Sequence, residues 1–105
     1  MQRIIALFNL KPGIDASDYE DWAKRVDIPS VNGLKSIAGF SVFKTMSVLG
    51  SDTPPPFQYI EIIDIHNMGD FGKDIATEEM RRVSDAFGAL ADAMFISTEP
   101  LTWGQ

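Results

Sequence analysis

The stretch YIEIIDIH, residues 59–66, has the apolar content of a strand covered on both faces, yet it holds a glutamate, an aspartate and the chain's single histidine. Side chains alternate along a strand. Tyr59, Glu61, Ile63 and Ile65 therefore point one way, and Ile60, Ile62, Asp64 and His66 the other. Glu61 sits in the middle of an apolar row. An ionised carboxylate there is costly unless paired or solvated, and desolvation raises its pKa toward the range useful to a general acid or base. Glu61 is thus the leading catalytic candidate. The alternatives are a cross-strand ion pair with Lys44 or Arg3, or simple exposure at a sheet edge. Asp64 and His66 mark a strand end emerging into water. Two such groups with no further histidine fall short of a metal site, so none is expected.

Outward from this strand the pattern predicts six main elements. RIIALFNL (3–10) is β-branched and aromatic enough for a strand, and KPG (11–13) ends it. Tyr19, Trp22, Ala23 and Val26 fall on one helical face, with Asp15 or Ser17 as the cap. Pro29 is expected to stop that helix or re-cap a shorter turn. IAGFSVFKTMSVL (37–49) is a strand with Gly39 as a bulge, and GSDTPPP (50–56) is a stiff connector. After FQYIEIIDIH (57–66), Asn67 caps a short helical segment. Thr77 caps a longer helix over 78–93, in which Met80, Val83, Phe87 and Leu90 share a face. MFISTEPL (94–101) closes as a strand, and Trp103 sits in a short tail. The order β-α-β-β-α-β is the ferredoxin-like plan of an α+β domain.

A chain of 105 residues forms one domain, spanning 1–105, and buries only roughly 65% of its unfolded surface. Two helices cover one sheet face, yet the strands are apolar on both. A second copy packing sheet to sheet as a homodimer is the economical cover. The net charge of −6 argues against nucleic acid and anionic membrane surfaces as partners. Without cysteine there is no disulfide, thiolate site or cysteine nucleophile. The apolar run near the start is too short for a secretory signal, and no run approaches the ~20 residues of a membrane span. A cytoplasmic protein is expected.

MQRIIALFNLKPGIDASDYEDWAKRVDIPSVNGLKSIAGFSVFKT (1–45) resembles the start of the RedY-like HapK proteins. VLGSDTPPP (48–56) corresponds to their LLGSDxxPP, and YIEIIDI (59–65) is similar to their third strand. The resemblance covers nearly the whole chain. It implies a dimeric α/β barrel, in which two ferredoxin-like protomers put their sheets face to face. It also implies a cofactor-free protein, associated with prodigiosin-type pigment biosynthesis, that acts on a hydrophobic aromatic intermediate. Many members of that superfamily carry His-x-Pro after the first helix, with the histidine facing a pocket. Here the same place reads Asp27-Ile28-Pro29, which makes Asp27 a pocket candidate.

Asn9 is the second catalytic candidate. The first and third strands are neighbours in this plan, so Asn9 and Glu61 are expected to meet on one face, the amide orienting substrate. Tyr19 and Trp22, on the inward helical face, join Tyr59 as an aromatic wall for substrate. Three functions suit this set: a cofactor-independent cyclase or dehydratase for a pyrrole- or indole-like intermediate, a non-catalytic carrier of that intermediate, and a cofactorless monooxygenase.

Overall fold

The computed structural model describes residues 1–102. Trp103 lies outside the described residues. The elements are β1 (Gln2–Leu10), α1 (Ala16–Trp22), a π-helical segment (Ala23–Asp27), α2 (Ile28–Asn32), β2 (Ile37–Lys44), β3 (Tyr59–Ile65), α3 (Met68–Ile75), α4 (Glu78–Leu90) and β4 (Ala91–Ser97). The four strands form one antiparallel sheet in the order β2-β3-β1-β4. This is the α+β, ferredoxin-like arrangement, with helices on one face.

Local chemistry sets the helix starts. Asp15 caps α1 by accepting from the Ser17 amide at 2.9 Å, Asn67 caps α3 through the Asp70 amide at 2.9 Å, and Thr77 caps α4 through the Met80 amide at 3.3 Å. Each side-chain oxygen satisfies an amide that the first turn leaves unpaired. The Gly39 bulge is present, as a register shift between Ile37 and Gly39.

Two expected boundaries are corrected. Pro29 does not stop the first helix. The chain passes through the π-helical segment, whose closing bond runs from the Ile28 amide to the Ala23 carbonyl, and continues into α2 with proline in its first turn. A proline ring crowds the carbonyl four residues before it, here that of Arg25, and the widened turn gives it room. The long helix ends at Leu90, and Ala91 already pairs with Leu10 in the sheet. The alanines at 91 and 93 fit either element, and pairing with β1 decides for strand.

The register assigns the faces. Ala6 lies opposite Glu61, Ile4 opposite Ile63 and Phe8 opposite Tyr59. Phe40, Val42 and Phe95 join this row from the outer strands. The helices cover it. One end is an aromatic core: Phe8 stacks on Tyr59 (5.3 Å between centroids) and meets Tyr19 and Phe87 edge-on at 5.6 and 5.1 Å. Such pairs add to the burial of their own surface. The other end is an aliphatic cluster built on Ile37, Phe40, Ile63 and Ile65.

Ile5, Leu7, Phe43, Ile60, Ile62, Met94 and Ile96 occupy the opposite face. No helix covers them, and Phe43 and Met94 are 51% and 54% exposed. No helix among the described residues is long and apolar enough to cross a membrane.

Candidate functional site

Between the sheet and the helices lies a cavity of about 450 Å³, within the usual range for small-molecule sites. Its floor is the helix-side row of the sheet, with Ile4, Phe40, Glu61, Ile63 and Phe95. Its walls come from Asp27 and Val31 on the first helical stretch, Phe71 and Ile75 on α3, and Met80, Val83 and Phe87 on α4. Arg81, Ser84 and Asp85 stand on exposed positions of α4 at its margin.

Two acids face this apolar space. Glu61 is 3% exposed and Asp27 6% exposed. Neither carboxyl group has a hydrogen-bond or ion-pair partner among the described residues. The pairings considered for Glu61 go elsewhere. Lys44 reaches Glu20 at 3.1 Å, and Arg3 forks onto Asp64 at 2.7 and 3.0 Å on the opposite sheet face. Asp64 is thereby tied to the β1–β3 pair, and His66 is exposed beyond the strand end.

Burial therefore governs the protonation of both acids. It pushes Glu61 up to about 8, and the nearby negative charge of Asp27 adds to the effect. Burial alone pushes Asp27 up to about 6. Near neutral pH the pair holds one proton, mostly on Glu61. Two acids whose surroundings separate their pKa values supply one donor and one acceptor at the same pH.

Tyr19 stands behind this pair, 1% exposed, and its hydroxyl has no partner among the described residues. Burial first, then the charges of Glu61 and Asp27, hold that phenol above its ordinary range. Tyr59 donates to Glu20 Oε2 at 2.7 Å, and burial and that bond raise its pKa as well. Tyr19, Tyr59 and the half-buried Trp22 belong to the aromatic core beside the cavity and do not line it. Their expected direct contact with substrate is corrected accordingly. Phe87 links the two regions, lining the cavity while packing on Phe8 and Trp22.

Asn9 requires the largest correction. β1 and β3 are neighbours, but the register puts Ala6, not an odd-numbered residue, against Glu61. Asn9 lies on the other face. Its amide donates to the Pro56 carbonyl at 3.2 Å and its Oδ1 accepts from the Gln58 amide at 2.9 Å. It fastens the proline connector to β1 and does not orient a ligand beside Glu61.

Several cavity residues had a sequence signal without a functional one. Met80, Val83 and Phe87 share the inward face that their spacing indicated. Phe40 and Phe71 had no mark distinguishing pocket from core.

The family model described as REDY-like protein HapK matches residues 2–101. The crystal structure of HapK from Hahella chejuensis superposes with a TM-score of 0.78 at 27% identity, covering 100% of this chain and 97% of that one. A protein from Arabidopsis thaliana has a TM-score of 0.78 at 17% identity, with both chains fully covered. SnoaB from Streptomyces nogalater, a cofactor-independent oxygenase, has a TM-score of 0.75 at 12% identity, covering 99% of this chain and 97% of its own. The last two show the fold alone. No curated protein matches the chain.

Proposed function

We propose, for a chain that belongs to the REDY-like HapK family, a small cofactor-independent enzyme of secondary metabolism, working in the cytoplasm on a hydrophobic pyrrole- or indole-like intermediate. The reaction is of the cyclase or dehydratase type. The observation that carries this reading is the pair of unpartnered acids, Glu61 and Asp27, on the wall of one apolar cavity.

Asp27, mostly ionised at neutral pH, takes a proton from the substrate's ring N–H or an acidified C–H. Glu61, mostly protonated, gives its proton to a departing hydroxyl, which leaves as water. The site gains one proton and loses one. Transfer from Asp27 back to Glu61 restores it. Such a step changes no oxidation state and so needs no redox cofactor. Positioned proton transfer of this kind contributes about 10²–10⁴-fold in rate. Phe40, Phe71 and Phe87 supply faces on which an aromatic ring stacks.

In the same reading two copies pack through the open sheet face, where Phe43, Met94 and Ile96 are exposed. That packing makes the dimeric barrel and covers a patch that a monomer would leave in water.

The test is Glu61→Gln with a hydroxyl-bearing pyrrole or indole substrate, following product by absorbance and binding by calorimetry. Lost turnover with retained binding supports acid catalysis by Glu61. Unchanged product formation removes it, and binding without turnover in the natural chain makes the protein a carrier. Oxygen uptake matching product would instead mark a monooxygenase.

A further inference from the structure

The cavity holds two buried acids, and among the described residues no buried cation lies beside them. Its ionisable lining residues come from the π-helical segment, β3 and α4, while α2 contributes Val31 and α3 contributes Phe71 and Ile75. Asp27 comes from the π-helical segment, Glu61 from β3, the Tyr19 hydroxyl from α1 behind them, and Arg81 and Asp85 from α4. Among the described residues Arg81 is the one basic residue of the lining, and it stands on the exposed margin, as does the acidic Asp85. Lys44 is held by Glu20, and Arg3 is bound to Asp64 across the sheet.

A buried charge without a counter-charge is strongly unfavourable, and proteins ordinarily pair such groups. An anionic ligand would make this cavity worse. A neutral one would leave the charge uncompensated. A ligand with a protonated nitrogen supplies what the protein leaves out.

We infer that the cavity is built for a cationic nitrogen base on an apolar aromatic body, its N–H groups directed at the Asp27 and Glu61 carboxyls. The inference rests on the cavity being the ligand site, as proposed above, and adds the charge of the ligand. A cation beside the pair favours its ionised form, so binding expels the shared proton. The site then selects amines, amidines and protonated imines over carboxylates of the same shape. It also suits an iminium-type intermediate, in which positive charge develops beside Asp27.

Three probes share one body and differ in charge: tryptamine, 3-ethylindole and indole-3-propionate. Each is titrated at pH 7 while the NMR signals of Phe40, Phe71 and Val83 are followed. Tryptamine is expected to bind at least about tenfold tighter than 3-ethylindole, and indole-3-propionate at least about tenfold weaker, given the size of a close charge pair away from bulk water. The binding heat of tryptamine should depend on the buffer, with proton release, whereas that of 3-ethylindole should not. In the Asp27→Asn, Glu61→Gln double variant, which removes only buried charge and keeps shape, the amine preference should vanish. Equal affinities, a preferred carboxylate, or an amine preference that survives in a folded double variant would overturn the inference while leaving the aromatic pocket intact. If 3-ethylindole and tryptamine both leave the cavity signals unmoved, the pocket reading itself fails and the inference falls with it.

Discussion

Glu61→Gln should make the protein more stable in alkaline solution, and the size of the gain follows from burial. The folded-state pKa of Glu61 is about 8, against an ordinary value of 4.5. A raised carboxyl pKa means that the folded state holds the proton more tightly than the unfolded chain. Its stabilising contribution is complete below pH 4.5 and is lost as pH rises through 8. At about 1.36 kcal/mol per pH unit, that interval corresponds to an upper limit of roughly 5 kcal/mol by pH 9 and roughly 3 kcal/mol at pH 7. Glutamine has nearly the same shape and never ionises. The assay is urea denaturation of both chains from pH 5 to 9 at one fixed protein concentration, because the proposed dimer would make stability depend on concentration. The variant should lie close to the natural chain at pH 5 and exceed it by several kcal/mol at pH 9. Parallel stability curves across that range would refute the argument, since Glu61 would then be as well solvated as in the unfolded chain.

Asp27→Asn removes the charge that helps to hold Glu61 up, so the alkaline limb of the pH–rate profile should move to lower pH, with turnover reduced about 10²-fold or more through loss of the base. An unshifted limb would mean that the two acids do not interact. Asn9→Ala should cost about 1–2 kcal/mol in thermal or urea denaturation from its lost bonds to the proline connector and leave kcat unchanged; a tenfold loss of kcat would return Asn9 to the site. Phe8→Ala, at the centre of the aromatic core, should cost about 3–5 kcal/mol in the same measurement. Under the dimer proposed above, the natural chain should show twice the monomer mass by light scattering, and Ile62→Lys, which places a charge on the open sheet face, should show the mass of a folded monomer; a natural chain of monomer mass, or an unchanged dimer mass in the variant, would refute packing through this face.

The alternation of YIEIIDIH separated Glu61 from Asp64 and His66 without knowledge of the fold. Which face Glu61 occupies was not legible, because it depends on where the helices lie. Asn9 shows a second limit. Adjacency of β1 and β3 follows from the topology, but a register offset of one residue moves every side chain to the other face, and nothing local in either strand sets that offset. Pro29 shows a third: its usual effect is to end a helix, and only the π-helical widening before it lets the helix continue. That widening also carries Asp27. The aromatic residues were legible as apolar. Whether each ring packs in the core or lines the cavity depends on distances between helices and sheet that no spacing encodes.

The central claim is that two neighbouring acids share one proton inside the cavity at neutral pH. Carboxyl ¹³C NMR titration of Glu61 and Asp27 tests it without any substrate. Midpoints near 8 for Glu61 and near 6 for Asp27, with the Glu61 midpoint falling in Asp27→Asn, are the predicted result. Two independent midpoints near 4, the ordinary carboxylate range, would contradict it.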